Sequence, residues 1–458
     1  MATGTQTGTT DTARGTWGSQ MGFILAAAGS AVGLGHIWRF PYVTGANGGA
    51  AFVLLYIGAV FLIGVPILFA ELTLGRHSNR NPVGAIKAIV GNSSWKYLGY
   101  LGVATGVFIL SYYTLIAGWT FGYIFKTLLR DATTFDQFTN QGLLNAGLYM
   151  AFILMTVGVV YGGVRGGIER WSKILMPILP VLLLFIIIYS LTLPGSMAGV
   201  QFYLRPDFSS LTGQSVLVAL GQAFFANSLG MGAMVTYGSY LSKDQNIITS
   251  GLGVVSFGIL ISFLAGFAVF PAVFAMGQSP AEGAALVFVV LPEIFNMMPG
   301  GILVGFIFFL LLSIAALTST VSLLEVPVAF LIDEKAVRRK VAVWLMAGVT
   351  VLFGIPSALS FGAVDFFTEL PLLAGLSFFD VMDYIFGNVA LPLGGMMFAI
   401  FVAWRWGILN AANEIALGNR KFLGVQSAAW GFVLRYVCPV VIFVVMLNTT
   451  GVLGLIGL

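Results

Sequence analysis

Residues 22–42 read GFILAAAGSAVGLGHIWRFPY, an apolar run long enough to cross a bilayer but with a centre that makes a poor helix. Glycine costs about 1 kcal/mol relative to alanine at a helical position, and in hydrocarbon the backbone groups released by a break have no water to bond. Interrupted helices persist in membranes only where the irregular backbone is buried in protein or lines a polar cavity. Carbonyls and N–H groups exposed there can replace the hydration of a small ion or a zwitterion. The segment predicts a transport site at mid-membrane.

Composition agrees: 458 residues, 58% hydrophobic and 8% charged, with mean hydropathy +0.97, exclude a soluble globule. Eleven apolar runs are each long enough to span ~30 Å of hydrocarbon. They lie at about 20–45, 47–74, 95–126, 144–162, 168–193, 213–239, 246–276, 302–331, 341–360, 379–404 and 426–447. The expected fold class is an all-α polytopic membrane protein. No apolar core precedes the first span, so no cleavable signal peptide is expected. The single cysteine, Cys438, excludes an internal disulfide. Arg76, Arg80, Lys87, Lys96, Arg165, Arg170, Lys173, Lys243, Lys335, Arg338, Arg339, Lys340, Arg405, Arg420 and Lys421 gather on one side of the spans, against Lys126, Arg130 and Arg205 on the other. The bias places the N-terminus in the cytoplasm and, with eleven spans, the C-terminus outside the cell membrane.

The sixth span carries a second interruption, Gly230-Met-Gly232, which matches Gly33-Leu-Gly35 in the first. A small hydroxyl residue precedes each, Ser30 and Ser228. Isolated small-residue patterns usually serve close helix packing, but paired interruptions in corresponding positions of two halves point to an inverted repeat with its site between the halves. The expected organisation is a cytoplasmic tail (1–18) and one transporter domain (19–458). Within it lie five-span repeats at about 19–193 and 213–404, with discontinuous helices one and six, and a peripheral helix at about 426–447.

The segments GSAVGLGHIWRFPY, NGGAAFVLLY (47–56), GVPILFAELTLGR (64–76), SYYTLIAGW (111–119), RGGIERWSKILMP (165–177), SIAALTST (313–320) and VAFLIDE (328–334) together resemble the neurotransmitter:sodium symporters. The bacterial members of that family that transport leucine and other hydrophobic amino acids are the nearest in pattern, and the resemblance covers essentially the whole chain.

The resemblance implies a sodium site at the first break, formed by carbonyls of Gly29, Val32 and Ala315 and hydroxyls of Thr318 and Ser319. The last three lie at i, i+3 and i+4 on one helical face. Buried hydroxyls also commonly bond back to their own helix, which is the competing reading of Thr318 and Ser319. The resemblance also implies a substrate pocket. N–H groups around Ala31, Gly33 and Gly35, with Ser30 and Leu34 beside them, suit an α-carboxylate at a half-helix N-terminus, and the Tyr113 hydroxyl would join them. Carbonyls of Ala31, Phe225 and Ser228 suit an α-ammonium, and the side chain would lie among Ile109, Phe225, Ala226, Met231, Ser319 and Leu323. That lining holds no charge, which argues against lysine, arginine or glutamate. Arg39 with Asp383 resembles an outer gate, under an aromatic lid of Tyr113 and Phe225. Arg14, Trp17, Tyr240 and Asp333 resemble an inner gate. Glu71 and Glu325 are expected to anchor the unwound backbone, and the Gly167 to Pro177 spacing resembles that of relatives with an unwinding fifth span.

One departure stands out. The family builds a first sodium site from an asparagine where this chain has His36, a threonine where it has Ala226, and an asparagine in the seventh span, which here has no amide or acid between Ser250 and Pro271. Three readings remain open: an imidazolium replaces that sodium beside the substrate carboxylate, a neutral His36 fills the gap, or the substrate lacks a carboxylate.

The function expected is sodium-coupled uptake of a neutral, hydrophobic L-amino acid with one Na+ site; chloride use is not legible in the residues. Uptake of a related amine, or a non-transporting sensor, is the alternative, although an intact inner gate argues against the sensor. The absence of a nucleophile–base pair or nucleotide motif argues against an enzyme. Expected partners are a small amino-acid-like substrate and the lipid bilayer, with neither nucleic acid nor an obligate protein partner.

Overall fold

The computed structural model describes residues 15–280, 286–371 and 375–452. Nine continuous helices among them are long and apolar enough to cross a membrane. They are Ala50–Ser78, Lys96–Leu128, Gly142–Tyr161, Val164–Leu191, Ile247–Ala275, Gly301–Lys335, Arg339–Leu359, Phe378–Ala416 and Val425–Thr449. The first span is a bent pair, Gln20–Ala31 and Gly35–Ala46, at 59°. The sixth is two helices, Gly213–Ala226 and Ala233–Gly238, joined by irregular backbone. Counting both gives the eleven spans expected, with helices one and six discontinuous.

Local chemistry sets both breaks. The first helix starts at the Ser19 cap, whose hydroxyl accepts the Gly22 N–H. It stops at Val32, and the Gly33 N–H turns back to the Ala31 carbonyl at 2.9 Å. In the sixth span Ser228, Gly230 and Gly232 all have positive φ. Gly230 admits no side chain, because a Cβ would come within 2.2 Å of the Leu391 carbonyl oxygen. The helix thus ends where φ turns positive and the tenth span presses on the backbone.

The first span packs against the fifth, seventh and eighth spans, and the third lies along the eighth. The short half of the sixth meets the second span. The eleventh contacts the tenth and the first half of the sixth.

Two boundaries differ from expectation. The tenth span runs on to Ala416 beyond its apolar stretch, because Glu414 is held by buried Arg76, Nε to Oε1 at 3.0 Å. A further apolar helix, Val287–Met297, occupies the expected outer loop before the eighth span.

Candidate functional site

The two breaks face each other. Gly33 lies where two side chains converge: a Cβ there would stand 2.4 Å from Ser319 Oγ and 2.8 Å from Tyr113 Oη. The Leu34 N–H donates to Tyr113 Oη at 3.1 Å. The Ser30 carbonyl accepts from Ser228 Oγ at 2.8 Å and from Ser319 Oγ at 3.2 Å, so one oxygen of the first break joins the sixth and eighth spans. Ser30 Oγ donates to Ser322 Oγ at 2.7 Å. Beyond the break, a Cβ on Gly35 would meet Phe225 Cδ1 at 3.4 Å and Ala226 Cα at 3.9 Å. The Gly35 carbonyl accepts from Gln222 Nε2 at 2.7 Å. Ala31, Leu34, Ile109, Ala226, Met231 and Leu323 are all buried. The structure therefore brings together Ser30, Gly33, Leu34, Tyr113, Ser228 and Ser319, with Phe225 and Ala226 beside Gly35.

Of the expected sodium residues, Gly29 of the first span and Thr318 of the eighth are adjacent. A Cβ on Gly29 would lie 3.1 Å from Thr318 Cβ. Gly29 belongs to the last turn of its helix, where carbonyls lack intrahelical partners. Thr318 Oγ1 donates to the Ala315 carbonyl at 2.9 Å. That back-bond uses the hydroxyl proton and leaves oxygen lone pairs available. These groups, carbonyls and hydroxyls, are neutral oxygens.

His36 is buried at 1% exposure, and its Nδ1 has no hydrogen-bond partner. The Ala31 carbonyl lies beside the ring. The seventh span supplies Gly258 at this point, and a Cβ there would come within 2.8 Å of His36 Nε2. A side chain at 258 would require the imidazole to shift.

The gates are placed as follows. The Arg39 guanidinium lies over the Phe225 ring, 4.9 Å from its centroid, while Asp383 interacts with Tyr112. At the opposite end Trp17 is buried: its Nε1 donates to the Tyr237 carbonyl at 3.0 Å and its backbone N–H to Tyr240 at 3.3 Å. Its ring packs edge-on against Phe23, Tyr237 and Tyr240. Asp333 accepts from the Asn81 backbone and side chain at 2.7 and 3.1 Å. Arg14 lies outside the described residues.

Of the two expected anchors, Glu71 does bond the broken backbone, Oε1 accepting the Gly230 N–H at 2.7 Å. Glu325 does not. Its carboxylate takes the Tyr240 hydroxyl at 2.6 Å and the Arg339 guanidinium at 2.5 Å, so it closes the inner end instead of supporting a break. The expectation failed because Arg339 reaches it across the turn after the eighth span. Gln222 and Asn81 were not anticipated. An amide in the apolar sixth span was the available signal for Gln222, and an Asn-Pro cap was the signal for Asn81.

Comparison with known proteins agrees with this geometry. The chain matches the sodium:neurotransmitter symporter family over residues 14–134 and 129–453. It is 40% identical to the uncharacterized sodium-dependent transporter YhdH of Bacillus subtilis, over 96% of this chain and 98% of that protein. A sodium-dependent serotonin transporter of Drosophila melanogaster is 26% identical, over 96% of this chain and 76% of that protein. Among solved structures, MhsT in complex with L-phenylalanine superposes with a TM-score of 0.84 at 44% identity, covering 95% of this chain and all of that one.

Proposed function

From a chain that belongs to the sodium:neurotransmitter symporter family, we infer sodium-coupled inward transport of a neutral, apolar L-amino acid by alternating access, with one sodium ion per cycle. The observation that carries this reading is the convergence of Gly33, Tyr113 Oη and Ser319 Oγ at the break of the first span. Backbone polar groups there meet a buried lining with no charged side chain. A carboxylate would take the Leu34 and Gly33 N–H groups in place of Tyr113 Oη and the Ala31 carbonyl, and an ammonium would take carbonyls of Ala31, Phe225 and Ser228. Buried Ile109, Met231 and Leu323 would receive an apolar side chain, and Met231 adapts to its shape. The complex of MhsT with L-phenylalanine supports the same substrate class.

Gly29, Val32, Ala315, Thr318 and Ser319 would hold the sodium, which supplies positive charge linking the first span to the eighth. One charge crossing ~100 mV contributes about 2.3 kcal/mol, and a roughly tenfold gradient adds about 1.4 kcal/mol. One ion thus supports accumulation of several hundredfold. His36 takes the place of a second ion: its ring fills the space beside Gly258 and offers a donor to the substrate carboxylate. The inner gate would comprise Trp17, Tyr240 and Asp333 on the cytoplasmic side, with the outer gate of Arg39 and Asp383 facing outside.

Proteoliposomes with an inward sodium gradient, offered a panel of amino acids and amines, test the reading. Accumulation of a neutral apolar L-amino acid above equilibrium is expected. Gradient-insensitive flux would indicate a uniporter, and binding without flux a sensor.

A further inference from the structure

A groove of about 420 Å3 opens at the start of the fifth span, lined by Gly18, Arg165, Glu169, Arg170, Lys173 and Ile174. Glu169, 1% exposed, is already engaged. It accepts the Gly18 N–H at 2.6 Å, the Ser19 hydroxyl at 3.4 Å and Lys173 Nζ at 2.5 Å. Gly22 permits this docking, since a Cβ there would overlap the carboxylate at 2.0 Å. Three cations thus surround one satisfied carboxylate. Arg165 and Arg170 are exposed, and 44% of the Lys173 side chain is open to solvent.

What lies below the groove identifies its occupant. Trp171 and Ile174 are exposed beside it, and Val181, Leu184 and Ile188 continue an exposed apolar track along the same helix. A cationic groove bordered by an interfacial tryptophan, above an apolar track, matches the layout of a phospholipid: phosphate, interface, acyl chain.

We propose that Arg165, Arg170 and Lys173 bind the phosphate of an anionic membrane phospholipid whose acyl chain lies along Ile174, Val181 and Ile188.

The test measures binding of a fluorescent phosphatidylglycerol to the purified protein in neutral detergent, with phosphatidylcholine and inorganic phosphate as competitors. Each basic residue near a membrane surface contributes about fivefold to anionic-lipid affinity. Arg165→Gln/Arg170→Gln should therefore bind about 25-fold more weakly, and Arg170→Gln alone, a change at an exposed side chain, about fivefold. An Arg420→Gln/Lys421→Gln control should bind as wild type. Competition by unlabelled phosphatidylglycerol, with phosphatidylcholine and phosphate ineffective, supports the site. Undiminished binding in both groove variants, equal competition by phosphatidylcholine, or displacement by inorganic phosphate at the affinity of the lipid would each overturn it.

Discussion

Two places flank the break of the first span, and they are built from opposite chemistry. On the eighth-span side, Gly29 abuts Thr318, and Ser319 reaches the Ser30 carbonyl at 3.2 Å. Every donor there is a neutral oxygen. On the seventh-span side stand His36, with an unpartnered Nδ1, and Gly258, with Ala226 close to the Gly35 backbone. One place presents hydroxyl and carbonyl oxygens, whereas the other is filled by a buried imidazole. On the proposed reading, the contrast teaches that an ion site would be lost as a unit. With imidazole in the gap, a side chain at 258 would have to displace the ring, and Ala226 has no side-chain oxygen to offer.

The largest effect expected strikes the oxygen-rich side. Thr318→Ala/Ser319→Ala removes two hydroxyls, and at about 1.5–3 kcal/mol per hydrogen bond or ligand contact to a charged group the loss is about two to four orders of magnitude in sodium affinity. Sodium-stimulated substrate binding should vanish. Retained sodium-driven uptake in the double variant would dissolve the contrast from that side.

A smaller loss is expected where the two sides meet. Gly33→Ala drives a methyl toward Ser319 Oγ and Tyr113 Oη, at 2.4 and 2.8 Å. Overpacking of this kind costs about 1–3 kcal/mol, so substrate affinity should fall roughly 5- to 150-fold. Equilibrium binding reads it directly, and wild-type affinity would mean that the substrate sits elsewhere.

The smallest effect probes the imidazole. A substrate carboxylate favours the protonated ring, so binding takes up a proton and affinity should decline as pH rises between about 5.5 and 8.5. His36→Asn should flatten that profile without adding a second sodium. Superimposable wild-type and variant profiles would reduce His36 to packing.

Much of this site was legible because glycine in an apolar span is a strong local signal. Gly33, Gly35, Gly230 and Gly232 marked both breaks, and Thr318 and Ser319 marked a polar face on the eighth span. Contacts between residues distant in the chain left no such trace. Glu169 gripping Gly18, Asp333 capped by Asn81, and Arg76 reaching Glu414 join residues more than a hundred positions apart, and no periodicity encodes them. Glu325 was identifiable as a buried acid, but its partner Arg339 sits beyond the end of its own helix. The tenth span was expected to stop at 404, where its apolar run ends, whereas pairing of Glu414 with Arg76 carries the helix on. Gly258 was hidden for a different reason. A missing side chain has meaning only once the ring that fills its place is seen.

Ion stoichiometry tests the central contrast most directly. Sodium titration of substrate binding, paired with simultaneous uptake of radiolabelled sodium and substrate into proteoliposomes, should give a Hill coefficient near one and about one sodium per substrate. A Hill coefficient and a flux ratio both near two would show that the seventh-span side still holds an ion, and would contradict the account.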